Sequence, residues 1–186
     1  MTYRKILAMV HKATKIFLTL LLTAYLYNPT IGQQRETVKW YTIEEVQEMV
    51  KKEPRKIFID MYTDWCKWCK VMDKNTFTDE KVAELLNTSF YAVKFDAEGK
   101  EPVTFRDQTF KFVPQGSRGY HELAAALMQG KLSYPTSVFL DENLNLISPL
   151  PGYYPPDKLN PILEFIGEDH YKTTNYEQFL SNKGGS

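Results

Sequence analysis

The 186-residue chain has only two cysteines and three histidines, and both scarcities exclude something. At most one disulfide can form, so the fold cannot be a scaffold stapled by several bridges, and packing must hold its core. A structural zinc site draws four ligands, mostly from Cys and His. His121 and His170 stand alone rather than as a close pair, and His11 lies in the N-terminal segment. Neither sign of charge is in excess, with 23 Lys+Arg against 23 Asp+Glu. No internal repeat and no low-complexity block interrupts the chain. The longest apolar run, Ile16 to Tyr27, is about a dozen residues, short of the roughly 20 that a membrane-spanning helix needs.

The charge balance hides an asymmetry. All four Lys/Arg of the first 32 residues (Arg4, Lys5, Lys12, Lys15) precede the apolar run, and that segment has no acid. A basic lead, an apolar stretch and the small residues Thr30 and Gly32 form the pattern of an export signal over residues 1–32. An uncleaved anchor is the alternative. Either way the remainder would face an oxidising compartment, periplasmic or extracellular, where a disulfide can persist. From residue 33 onward there are 19 basic and 23 acidic side chains, a net −4. Such a surface offers nucleic acid no electrostatic hold, and nothing points beyond a monomer.

Residues 33–40 read as a linker, 41–180 as one domain and 181–186 as a tail. Thr42 with Glu45 is a capping-box pair that opens a helix through Lys52. KIFIDMY (Lys56–Tyr62) and FYAVKFD (Phe90–Asp96) are strands by composition, and Thr136–Leu140 is a third. Thr78-Asp79-Glu80 begins a helical stretch through Leu86. Val103–Phe105 and Thr109–Val113 predict a small hairpin, Tyr120–Gln129 a helix ended by Gly130, and Leu144–Ile147 a strand paired with Thr136–Leu140. Pro156–Ile166 is a helix with proline in its first turn, and Tyr176–Leu180 a last helical turn. Strand, helix, strand, then a hairpin and a helix predict an α/β fold: a mixed sheet flanked by helices.

Both cysteines fall within DWCKWCK, Asp64 to Lys70. Haem attachment would require histidine after the second cysteine, and the residue there is Lys70. A redox dithiol fits. Cys66 sits where a strand gives way to a helix, and free N–H groups at a helix start stabilise an anion such as a thiolate. Lys67 and Lys70 add positive charge. Cys69, three residues on, shares the helical face and can close a disulfide. Cys66 is then the exposed nucleophile and Cys69 the deeper, resolving thiol.

At this point the chain resembles the thioredoxin family. The stretch from Phe58 to Lys70 is similar to that family's active-site segment, with Asp60 at its strand acid and Trp65 at its tryptophan before the first cysteine. Tyr134-Pro135-Thr136 is similar to the segment whose cis-proline lies against the disulfide, and Gly152 to the glycine after the last strand. Thr76-Phe77-Thr78-Asp79-Glu80-Lys81-Val82 resembles the subgroup formed by the periplasmic C-terminal domain of the transmembrane thiol:disulfide interchange protein. The resemblance implies a thioredoxin fold over roughly Lys39 to Ile166, and no cofactor beyond the dithiol. It also implies protein disulfides as substrates and a membrane thiol as electron donor. Asp60 is then a buried acid of raised pKa that moves a proton for Cys69, or simply a hydrogen-bonded strand acid. Trp68 either packs on the surface or meets partners. The alternative for Lys67 and Lys70 is plain solvated helix residues, and Tyr120, Tyr153 and Tyr154 read as core or rim aromatics. Two features depart from the pattern: Lys67-Trp68 replaces Gly-Pro between the cysteines, and about 32 residues, 100–131, are inserted before Pro135 as a hairpin and helix. The insert is expected either to rim the site or to close a small satellite core. The function implied is an exported thiol:disulfide oxidoreductase acting as a reductase. The alternative is a thioredoxin-fold binding module whose disulfide is permanent.

Overall fold

The computed structural model describes residues 36–184. Five strands form the main sheet: β1 (Trp40–Tyr41), β2 (Lys56–Tyr62), β3 (Phe90–Asp96), β8 (Thr136–Leu140) and β9 (Leu146–Pro151), in the order β1-β3-β2-β8-β9. The β1–β3 and β3–β2 pairs are parallel, and the β2–β8 and β8–β9 pairs antiparallel. The mixed sheet flanked by helices is the expected one. Six α-helices accompany it among the described residues: α1 (Ile43–Lys52), α2 (Lys67–Asn75), α3 (Glu80–Ser89), the short α4 (Glu122–Leu127), α5 (Pro156–Gly167) and α6 (Tyr176–Gly184).

Strand alternation divides the core in two. Ile57, Ile59, Met61, Val93, Val138 and Leu140 point to one face and pack with Ile43, Val46 and Val50 of α1. Phe58, Phe90, Ala92 and Phe139 point to the other, against Met72 of α2, Val82 and Leu86 of α3, and Leu159 and Leu163 of α5. Asp60 and Lys94 sit opposite each other in the parallel β2–β3 register and share the parity of Phe58 and Ala92. Two charged side chains therefore enter the layer covered by α2.

The elements with the strongest local chemistry lie where their residues place them. Thr42 caps α1, and the reciprocal hydrogen bonds of a capping box with Glu45 are both present. Strands β2, β3 and β8 have the expected limits. Other boundaries differ. The described part of the 33–40 linker belongs to the domain, because Val38 is buried and Trp40 pairs with Ala92. Helix α6 continues to Gly184, through most of the expected tail. Strand β9 begins at Leu146, two residues late, because Asp141 accepts backbone N–H groups from Asn143 and Asn145 and holds the turn open.

The insert contains two hairpins rather than one. β4 (Val103–Phe105) pairs with β5 (Gln108–Phe110), and β6 (Phe112–Gln115) with β7 (Arg118–His121). The residues expected to begin the helix at Tyr120 belong to β7, and α4 opens only after His121. Its halves serve different ends. Phe105, Leu123, Ala124, Leu127 and Met128 join the core on the α1 side. Phe112 and Tyr120 join neither core cluster. The first hairpin and α4 therefore complete the main core, while the second hairpin, apart from its buried last residue His121, stands outside it.

Candidate active site

Cys66 is the N-cap of α2 and forms a disulfide with Cys69. Its backbone N–H donates to the Thr63 carbonyl at 3.1 Å, a turn that ends the approach from β2. Its Sγ accepts the N–H of Cys69 at 3.0 Å. One of the unpaired donors of a helix start is thus aimed at sulfur. After reduction the same N–H would meet the charge of a Cys66 thiolate, and a hydrogen bond to an ionised acceptor is stronger than one to a neutral acceptor. The expectation of an exposed Cys66 is corrected: it is 4% exposed against 2% for Cys69. The N-cap position turns Sγ in toward the helix rather than outward.

Below α2, Asp60 is 1% exposed. Burial is the largest influence on its carboxyl and pushes its pKa up to about 6, against the downward pull of Lys94. Lys94 donates to Asp60 Oδ2 at 3.0 Å and to Asp73 Oδ1 at 2.5 Å, while Asp60 Oδ1 has no hydrogen-bond partner among the described residues. Burial works against the Lys94 charge, but Asp60 and Asp73 outweigh it and hold its pKa above the ordinary lysine value. Asp73 lies four residues after Cys69, one turn along the same face of α2. The ammonium therefore ties the buried acid to the helix that carries the dithiol. Sequence reading had singled out Asp60 but neither Lys94 nor Asp73. The available signals were a lysine interrupting an apolar strand, FYAVKFD, and an acid at the i+4 position from Cys69.

Aromatic walls stand on either side of the Tyr134–Pro135 segment. That peptide bond is cis and Pro135 is buried. The Pro135 carbonyl accepts the N–H of Gly152, which has a φ of 106°, a region open to glycine but not to bulkier residues. On one side Trp68, 59% exposed, stacks on Tyr153 at 5.3 Å between centroids. These two rings, Tyr134, Pro135 and Gly152 line a recess of about 240 Å³. On the other side Trp65, 48% exposed, meets Tyr134 edge-on at 6.0 Å and donates from Nε1 to Glu98 Oε1 at 3.0 Å. Burial, then Glu98 and Asp96, push the Tyr134 hydroxyl up to about 12, so it remains a neutral phenol. Lys67 and Lys70 are exposed on α2. Trp65 and Trp68, each directly before one cysteine of the buried dithiol, meet Tyr134 and the Pro135 recess, and Asp60 is linked through Lys94 to Asp73 on the helix that carries both cysteines. Tyr153 joins the site as the partner of Trp68.

A mixed sheet with a Cys-x-x-Cys pair at a helix N-terminus and a proline segment leading into β8 is the arrangement of a thioredoxin fold. Residues 23–168 match the profile of the family described as "Thioredox_DsbH: Protein of unknown function, DUF255", and the chain belongs to that thioredoxin-like family. An uncharacterised protein of Caenorhabditis elegans is 28% identical over 151 residues, 75% of this chain and 18% of that protein. The thiol:disulfide interchange protein DsbD of Haemophilus ducreyi is 30% identical over 85 residues, 39% of this chain and 15% of that protein. The chain therefore spans less than a fifth of these relatives. A solved DsbH oxidoreductase shares the fold, with a TM-score of 0.51 at 16% identity over 76% of this chain and 95% of that one.

Proposed function

We propose that this protein is an exported thiol:disulfide oxidoreductase that reduces disulfides in other proteins. The observation that carries the reading is the N-capping sulfur of Cys66, which receives the Cys69 N–H beside an exposed aromatic recess. In the reduced protein the Cys66 thiolate attacks one sulfur of a substrate disulfide. A mixed disulfide forms and the first substrate thiolate leaves. The Cys69 thiol gives its proton to the Asp60 carboxylate and attacks Cys66 Sγ. The second substrate thiolate leaves and the Cys66–Cys69 bridge closes. Two electrons pass to the substrate, with no cofactor beyond the dithiol. Renewal of the dithiol then requires a thiol donor, for which a membrane partner is proposed.

Export rests on the pattern of residues 1–32, which lie outside the described residues. Among the described residues no helix is long and apolar enough to cross a membrane. The proposed setting is periplasmic or secreted, as a monomer. One observation favours a second reading, that of a binding module with a permanent disulfide: both cysteines are almost wholly buried.

Trapping tests the first reading. With Cys69→Ser the resolving step is lost, so the variant is expected to accumulate mixed disulfides through Cys66 when mixed with oxidised protein substrates, and reductant should release them. Cys66→Ser should trap nothing. Equal absence of adducts from both variants would count against the proposal.

A further inference from the structure

The second hairpin of the insert ends on the active-site tryptophan. Arg118 closes the two-residue turn opposite Gln115, and Gly116, with φ 59°, takes the positive φ that the first turn position of a type II′ hairpin demands. From there the Arg118 guanidinium carbon lies 4.3 Å from the Trp65 ring centroid. The base of the hairpin is fixed. The buried His121 donates its backbone N–H to Ala97, its Nδ1 accepts the Leu123 N–H, and its Nε2 meets the Glu101 carbonyl at 3.1 Å. Its ring also packs edge-on against Phe95. A rigid root thus sets an exposed arginine over the residue that precedes Cys66.

We infer that Arg118 determines specificity by receiving an acidic side chain of the substrate segment that flanks the disulfide under attack. The inference rests on the oxidoreductase reading. A guanidinium stacked on an indole face keeps its in-plane N–H edges free, and those edges match a carboxylate bidentately. Arg118 is exposed, and among the described residues it makes no ion pair or side-chain hydrogen bond. The stack restricts the side chain before substrate arrives, so less freedom is lost on binding. The neighbouring charges make the preference positional. Glu98 is engaged by the Trp65 Nε1–H. Asp64, exposed and directly before Trp65, repels an acid on its own side. Lys67, exposed directly after Cys66, reinforces attraction. An acid should therefore be favoured at particular flanking positions and not at all of them.

The test uses cysteine peptides blocked as mixed disulfides with mercaptoethanol, each with one Glu, Gln or Lys at a successive flanking position. The wild-type protein, Arg118→Gln and Arg118→Glu are compared by kcat/KM. In the wild type, Glu is expected to exceed Gln by about three- to tenfold at one or two positions, and the excess should shrink with added salt. Arg118→Gln should erase it, and Arg118→Glu should turn it into a preference for Lys. Reduction of the uncharged bis(2-hydroxyethyl) disulfide should stay within about twofold in all three, showing that the fold and the dithiol are intact. A Glu preference that persists unchanged in Arg118→Glu, or none at any position in the wild type, overturns the assignment of Arg118. Failure of the wild type to reduce even the uncharged disulfide overturns the oxidoreductase reading itself, and Arg118 with it.

Discussion

Asp60→Asn is expected to make the protein more stable at pH 8 and to leave its stability nearly unchanged at pH 4. The sign follows from the direction of the shift. Burial raises the folded-state pKa of Asp60 from 3.8 to about 6. Below the unfolded value the carboxyl is protonated in both states and costs nothing. As pH rises through the window from 3.8 to about 6, the unfolded chain ionises first and the folded state loses stability. Above that window the penalty is complete, and a shift of this size corresponds to roughly 3 kcal/mol. Asparagine has the shape of the protonated acid and no charge to bury, so the substitution should recover an amount of that order at pH 8. The same change removes the proposed proton acceptor for Cys69. Resolution of the mixed disulfide should slow, and its pH dependence near 6 should disappear. Denaturant unfolding at both pH values measures the first effect, and stopped-flow release of substrate thiol the second. A variant that is less stable at pH 8 than the wild type would contradict the account of Asp60.

The insert predicts a second large effect, split between its halves. Leu123 on α4 is fully buried in the core on the α1 side. Leu123→Ala should cost about 2–5 kcal/mol, the range for a leucine truncated in a packed interior. Shortening the second hairpin by exchanging Pro114–Gly119 for a tight turn removes no residue of either core cluster, and it should cost under about 1 kcal/mol. Replacing residues 100–131 as a block would therefore unfold the protein and reveal nothing about partners. Parallel urea titrations check the contrast. Equal costs for the two changes would show that the hairpin and α4 form one cooperative unit.

How much of this was legible in the sequence depended on how local the determining interactions are. The Thr42–Glu45 box and the apolar strands at Lys56, Phe90 and Thr136 are set by neighbours in sequence, and they fell where expected. The first hairpin was placed but misjudged in its turn. Arg106 and Asp107 both take positive φ without glycine or asparagine, helped by a backbone hydrogen bond from Arg106 to the Gln47 side chain. No pattern within that segment announces a partner 59 residues away. The second hairpin was missed because Tyr120 adjoins a strong helical run, His-Glu-Leu-Ala-Ala-Ala-Leu, and hydrogen bonding at His121 settles where the helix begins. At the site, Cys66, Cys69, Asp60 and Pro135 carry motif chemistry. Lys94 and Asp73 leave only faint local signals, a lysine in an apolar strand and an acid one helical turn from Cys69, while the Trp65 contacts with Glu98 and Arg118 and the stacking of Tyr153 on Trp68 arise from tertiary pairing. The depth of Cys66 was misjudged for the same reason. Sequence places a residue at a helix start, but the direction of its side chain depends on which donor it caps.

The reduction potential of the Cys66–Cys69 pair tests the central claim most directly. A thiolate held by the Cys69 N–H at the start of α2 stabilises the reduced form and makes the disulfide easier to reduce. Equilibration with glutathione or dithiothreitol buffers, read by alkylation and mass shift, should place the potential well above about −300 mV, in the range of catalytic dithiols. A value below about −300 mV would mark the bridge as a permanent structural link and the protein as a binding module.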